Sequence, residues 1–406
     1  GGVAGGSGGG VAGGSGGGVA GGSGGGAAGG SGGGAAGGSA GGVGGGAGET
    51  PLYATASSFH LLALRGDGTV WARGRSDFGQ LGDGRPPAAG ANPSLVRYDA
   101  GAAVGLSNVA LVEQLSVASF AVGRDGGVWS WGAFGPSPGE SWLGDGALTS
   151  RGAPAPANIA DVVDLSAANA HVIAVKRDGT VWAWGVGLYG ELGSPAVSSL
   201  LQPAQVMGPS NVVRVAAGQE HVLALTDGGQ VWAWGRNRHG QLGNGMASFM
   251  SLPPAVVPGL SGVVAIGAGG SRSFAVTSDG VAWAWGQNFG GFLGVDAGVG
   301  ADVPQPLPVL GASGVVTIDA SWLHALALQA DGGVLAWGSN NNDQLGVGAD
   351  APTPVHVPGL PPMVSVTVGE DNSFARSASG VLYGWGRASL LGRSPGAAPA
   401  PFDTLW

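Results

Sequence analysis

From about residue 52 the chain is built of short stretches in which apolar and small or polar residues alternate at every second position, each closed by a turn signal. The clearest set is Val212–Gly218, then 221–226 (His-Val-Leu-Ala-Leu-Thr), then 230–235 (Gln-Val-Trp-Ala-Trp-Gly). Period two with β-branched and aromatic residues is strand composition. Between the second and third stretches sits Asp227-Gly228, with counterparts at Asp67-Gly68, Asp125-Gly126, Asp178-Gly179, Asp279-Gly280 and Asp331-Gly332, and Ser379-Gly380 in the last set. Asp and Gly tolerate the positive φ of a tight hairpin, so these pairs predict two strands folded directly on each other.

The third stretch repeats. In recognisable form the phrase Val-Trp-Ala-Trp-Gly closes at Gly74, Gly132, Gly185, Gly235, Gly286, Gly338 and Gly386, at intervals of 58, 53, 50, 51, 52 and 48 residues. A period of this size marks a solenoid, a propeller or an array. Weaker apolar runs behind prolines, at 204–206, 255–257, 307–309 and 355–357, supply a fourth strand, and their prolines suit an outer edge. Seven antiparallel four-stranded units predict an all-β, seven-bladed β-propeller over residues 49–406, closed on itself and needing no polar end caps. Leu52–Thr55 fits the first-strand slot of copy one and Phe402–Trp406 the fourth-strand slot of copy seven, so no blade is short of a strand.

Side chains alternate along a strand, which puts Trp182 and Trp184 on one face and Ala183 on the other. With Trp232, Trp234, Trp283 and Trp285 they read as core packing between blades, at ~150–250 Å² buried per aromatic side chain. His60, His171, His221 and His324 share one slot that holds Ala118, Arg272 and Asn372 in the other copies. A slot with such replacements predicts a hydrogen-bonding strut to the backbone rather than a catalyst. Corresponding points on separate blades lie too far apart to share one metal ion at ligand distances of ~2 Å, and no metal site is expected.

The strings 221–225 (His-Val-Leu-Ala-Leu), 227–235 (Asp-Gly-Gly-Gln-Val-Trp-Ala-Trp-Gly) and 237–243 (Asn-Arg-His-Gly-Gln-Leu-Gly) resemble the repeat of the regulator of chromosome condensation (RCC1-type) family, over about residues 52–406. The resemblance implies the propeller. It also offers two activities, nucleotide exchange on the small nuclear GTPase Ran and ultraviolet-B perception. The first depends on a wedge inserted in one blade and a basic chromatin-binding tail, and the second on tryptophans in Gly-Trp-Arg-His-Thr motifs. Neither feature is visible in this sequence.

Residues 1–48 form six Gly/Ala/Ser-rich octads without a charge, an aromatic residue or a proline, a composition that predicts a disordered linker. They lack the large side chains of a membrane-spanning helix, so no membrane insertion is expected. The chain opens on glycine, which reads as a processed product or a fragment, and a long neutral linker ahead of a compact domain suits display outside the cell or at its surface. Alanine and glycine richness, with Lys176 as the lone lysine, suggests a high-GC bacterial source. A net charge of −9 argues against broad nucleic-acid contact. There is no cysteine, no phosphate loop, no His-Glu-x-x-His helix, no nucleophile elbow and no dinucleotide fingerprint, so no cofactor is expected. Asp83 and Asp145 lie in Gly-Asp-Gly turns.

Loop length breaks the symmetry. The links from third to fourth strand are long, variable and all emerge on one face, where binding residues concentrate. Trp142 and Arg151 are the candidate centre of a partner interface, with Arg85, Tyr189 and Phe249 around them, since Trp and Arg are enriched in hot spots. The alternative for Trp142 is packing under its own loop, in the slot that Gln80 and Gln241 occupy. The sequence therefore predicts a non-catalytic, monomeric, protein-binding scaffold, secreted or surface-tethered. Two other readings stay open: an enzyme of glycan hydrolase or lyase type with paired carboxylates at the central channel, and a guanine nucleotide exchange factor, which rests on the family resemblance.

Overall fold

The structure is a computed structural model that describes residues 51–87, 96–135, 140–392, 396 and 398–402. The segment expected to be a linker, 1–48, lies outside the described residues, as do residues 403–406 of the proposed last strand. Seven four-stranded antiparallel sheets follow one another along the chain, each made of four consecutive strands. Blade four is Val212–Ala217, His221–Thr226, Val231–Asn237 and Ser248–Val256, counted from the inner edge outward. All-β architecture, blade number and strand order are those predicted from the repeat.

The fourth strands start earlier than expected. They span Ser199–Val206, Ser248–Val256, Val303–Pro308 and Ala351–His356 in blades three to six, and in blade seven the fourth strand is only Ala400–Pro401. An outermost strand has every second N–H turned to solvent, so prolines that would end an inner strand are accepted there. This moves Arg151 and Phe249 out of loops: Arg151 opens the fourth strand of blade two, and Phe249 lies in that of blade four.

The two tryptophans of each phrase have different surroundings. Trp131, Trp184, Trp234, Trp285, Trp337 and Trp385 are fully buried, whereas Trp182, Trp232 and Trp283 are half-buried near the strand start. Four of these six deep indoles are hydrogen-bonded by the long loop of the preceding blade. Trp131 Nε1 donates to the Gln80 carbonyl at 2.9 Å, Trp184 to Trp142 at 2.8 Å, Trp234 to Glu191 at 2.8 Å and Trp285 to Gln241 at 2.9 Å. The Leu-Gly that follows each acceptor lets the loop come this close: a Cβ on Gly82, Gly144 or Gly243 would lie 2.8 Å from the indole nitrogen. The phrase's closing glycine is fixed by a second approach, since a Cβ on Gly235, at φ 105°, would sit 2.7 Å from the Glu220 carbonyl oxygen.

Candidate functional site

The histidine slot belongs to the same joint between blades. His60, His221 and His324 each place Nε2 2.8 Å from a serine hydroxyl of the next blade, Ser119, Ser273 and Ser373. Each serine in turn donates to a loop carbonyl, of Gln80 at 2.9 Å, Gln241 at 2.7 Å and Gln344 at 2.7 Å. The expected strut reaches the backbone through a hydroxyl, and the main chain of Ser116 and of Arg272 also hydrogen-bonds His60 and His221. With the serine proton committed to the carbonyl, Nε2 is the nitrogen that donates. Ser57 Oγ and Ser321 Oγ lie 3.1 and 2.9 Å from Nδ1 of His60 and His324. His171 departs from the pattern because Val222 stands where the partners of the other three histidines are serine, and its buried Nε2 has no hydrogen-bond partner. Burial lowers all four imidazoles to about 3, so they are neutral struts at ordinary pH.

Around the central channel, side chains of the inner strands of blades three, six and seven reach to the backbone of the next. Asp164 accepts the Val215 amide at 2.8 Å, Ser166 the Ala217 amide at 3.0 Å and Asp319 the Val368 amide at 2.9 Å. Thr367 donates to the Ala54 carbonyl at 2.8 Å, which carries the same motif from blade seven to blade one. These bonds serve the exposed edges of inner strands, which have no further strand to pair with. Burial pushes Asp164 up to about 6 and Asp319 up to about 7, with the amides opposing it. Among the described residues no group of three or more His, Asp and Glu is placed to hold a metal ion.

The face of long loops places the predicted interface residues unevenly. Trp142 is only 7% exposed and packs in the core between blades two and three, while its carbonyl is the acceptor for Trp184. It occupies the slot of Gln80 and Gln241, so the packing alternative describes it and the hot-spot reading is corrected. The physical reason is that the carbonyl of this slot serves the next blade whatever its side chain, so Trp142 can stand where Gln80, Glu191, Gln241 and Gln344 also accept the amide two residues earlier through their own side chains. Arg151 is also turned inward: Nε donates to Ser130 O at 2.9 Å, Nη2 to Ser130 Oγ at 2.6 Å, and Nη1 pairs with Asp145. Tyr189 is half-buried beneath Arg236, whose guanidinium lies 4.1 Å from its ring and pairs with Glu220 at 2.6 Å. Nearby Glu191 is pushed up to about 7 by burial.

Arg85 and Phe249 are exposed. Arg85 stands 3.9 Å from Asp83, and Phe249 is 80% exposed with Arg238 5.3 Å from its ring. Phe249 has company that the sequence reading did not assemble. Leu188, Met246, Met250, Phe289 and Val299 are all more than 60% exposed, and all lie on the strand-three-to-strand-four connections, or the start of the fourth strand, of blades three, four and five. The missed signal is apolar side chains in loops rich in Gly, Asn and Ser.

A family model for the RCC1-like domain matches residues 149–394. The chain belongs to the RCC1-like domain family. This RCC1-like chain is 28% identical over 297 residues to the human E3 ubiquitin-protein ligase HERC2 and 28% identical over 291 residues to the Arabidopsis thaliana ultraviolet-B receptor UVR8. Each match covers 70% of this chain but only 5% of HERC2 and 52% of UVR8. Among solved structures, yeast RCC1 (Prp20) bound to Kap60 aligns with TM-score 0.67 at 23% identity, over 86% of this chain and 85% of that one. Human WBSCR16 aligns with TM-score 0.69 at 21% identity, over 83% of this chain and 94% of that one. These likenesses show the propeller fold.

Proposed function

We propose that this RCC1-like propeller is a non-catalytic scaffold that binds a protein partner on its long-loop face, centred on Phe249 and Met250. The observation that carries the reading is the set of six large apolar side chains, Leu188, Met246, Phe249, Met250, Phe289 and Val299, left exposed by three adjacent blades on one face. Scattered exposed apolar residues are ordinary, but a concentration on one face of a rigid scaffold marks an interaction surface. Arg238 beside Phe249 supplies the guanidinium that recurs in interface centres. The yeast relative is seen bound to Kap60, a use of the fold in keeping with this reading. The buried inner-strand carboxylates Asp164 and Asp319 are engaged by neighbouring backbone amides, which favours a structural role for them over glycan hydrolysis. Display outside the cell or at its surface, on the neutral tract 1–48, stays part of the proposal.

A photo-crosslinking residue at position 249 should capture the partner, and one at Val316, on an inner strand, should not. With the partner in hand, the double substitution Phe249→Ala, Met250→Ala should weaken the complex by more than about tenfold and leave the thermal melt unchanged, since neither side chain is packed. Unaltered affinity, or capture from Val316 alone, would place the interface elsewhere.

A further inference from the structure

On the opposite face, where the Asp-Gly hairpins emerge, a cavity of about 280 Å³ opens across blades two, three and four. Three arginines line it, each from a different blade: Arg124 and Arg177 from the hairpins of blades two and three, and Arg214 from the inner strand of blade four. Leu111, Val122 and the exposed Val163 supply an apolar wall. The space has room for several waters, more than a single small ion needs.

The repeat separates what the fold requires from what it does not. At the hairpin position of Arg124 and Arg177 the other blades carry Gly66, Asp227, Ser278, Ala330 and Ala378. The position of Arg214 is held elsewhere by Tyr53, Leu111, Asp164, Ala265, Thr317 and Ser365. Blades form with any of these, so packing does not call for arginine, yet at both positions it appears only in the blades that border the cavity. Asp164, also in the wall, stands 3.6 Å from Arg214 and accepts the Val215 amide. Asp125 and Asp178 turn their carboxylates onto their own hairpins, accepting the Gly127 amide at 3.1 Å and the Thr180 amide at 3.0 Å, and the Asp161 carbonyl accepts the Arg177 amide at 2.8 Å. Among the described residues neither Arg124 nor Arg177 has an ion-pair partner, and both are exposed.

We propose that this cavity is a second binding site, for an acidic peptide segment of a partner, with a carboxylate side chain held by Arg124 and Arg177 and an adjacent apolar side chain against Val163 and Leu111. A guanidinium presents a planar fork matched to a carboxylate. The mixed wall and the volume select a peptide carrying both kinds of side chain over a lone oxyanion. The net charge of −9 repels an acidic ligand from the rest of the surface, so saturable binding would report this cavity. The site is independent of the long-loop face, and a propeller using both would bridge two partners.

The probe is a fluorescently labelled peptide of alternating glutamate and leucine, titrated with the full chain at low ionic strength and read by anisotropy. Saturable binding is expected, weakening as salt is raised. Arg124→Glu with Arg177→Glu should lower affinity more than tenfold, and the neutral pair Arg124→Gln, Arg177→Gln should lower it less, with both melts unchanged. Arg238→Glu and the Phe249→Ala, Met250→Ala pair, on the other face, should leave peptide affinity as it was, which keeps this site separable from the interface proposed above. Equal affinity in the charge-reversed variant, or no saturable binding at low salt, would overturn the proposal. So would inorganic phosphate displacing the peptide at concentrations where the peptide itself binds, which would make the cavity a small-anion site.

Discussion

Replacing His221 by alanine should cost clearly more stability than replacing His171, although both are buried at the same position of adjacent blades. His221 donates through Nε2 to Ser273, which holds the Gln241 carbonyl together with Trp285, so its loss strips one bond from a buried chain of three. Ser273 keeps its bond to Gln241, which limits the damage to one unsatisfied acceptor. That is worth about 1–2 kcal/mol at the lower part of the range for orphaned buried groups. Loss of imidazole volume adds a cavity contribution of about 1–2 kcal/mol. His171→Ala forfeits only the second of these, because its Nε2 has no bond to lose. The expected costs are therefore about 2–4 kcal/mol for His221→Ala and about 1–2 kcal/mol for His171→Ala, read from urea midpoints at pH 7.5. The converse substitution, Val222→Ser, puts a hydroxyl opposite His171 and should recover part of a hydrogen bond, about 1 kcal/mol, less the loss of a buried methyl. A double-mutant cycle on His221 and Ser273 should show coupling near 1 kcal/mol. Equal costs for the two histidines, or no coupling in the cycle, would refute the view that the slot works through the serine.

Trp142→Ala should lower the melt by an amount corresponding to about 3–4 kcal/mol, as for other truncated buried aromatics, and an unchanged melt with lost partner affinity would restore it as a contact residue. Stability should vary little between pH 7 and 5 and fall steeply below about 4. The folded histidines bind protons only near 3 while unfolded ones bind near 6.5, so their contribution is present above 6.5 and lost as pH falls. Asp164, Asp319 and Glu191, raised to about 6 to 7, act oppositely: they favour the fold below their ordinary range near 4, and that support is lost as pH rises towards 7. A midpoint that falls steadily from pH 7 to 5 would sink this balance. Phe402→Ala should loosen the seam between blades seven and one, where Phe402 meets Phe374 edge-on at 5.7 Å in a cluster with Ala54 and Leu61. Amide exchange should quicken in Pro51–Ala56 and Asn372–Ser377 before it does in His221–Thr226, and a uniform change would count against a weak seam.

The inner three strands of each blade were legible because each is announced locally, by period-two alternation and by an Asp-Gly turn between the second and third. The fourth strands were visible only in their last few residues. Pro203, Pro253, Pro304 and Pro352 break the alternation, and nothing in the sequence says that an outer edge will accept them. Trp142 was misjudged for the same kind of reason: a side chain that differs from Gln at an aligned position reads as specialised, yet the partner of Trp184 is its carbonyl, which every residue carries. The arginine-lined cavity could have been found by aligning the seven copies, since Arg124 and Arg177 fall at one repeat position. What the alignment cannot supply is Arg214, which stands at another position and in a third blade.

The way these blades are joined bears on how the faces can differ. The bonds that close one blade on the next run from buried Trp and Ser side chains, the serines tied in turn to His, to main-chain carbonyls of the long loop, and from inner-strand Asp, Ser and Thr to main-chain groups of the next inner strand. A joint that recognises backbone places few demands on the side chains around its acceptors. The rest of each long loop and the hairpin position of Arg124 and Arg177 are then free to change from copy to copy without loosening the ring. Blades three to five have filled the first freedom with exposed apolar side chains and blades two and three have filled the second with arginine. The asymmetry of the molecule thus sits where its joints exert no constraint.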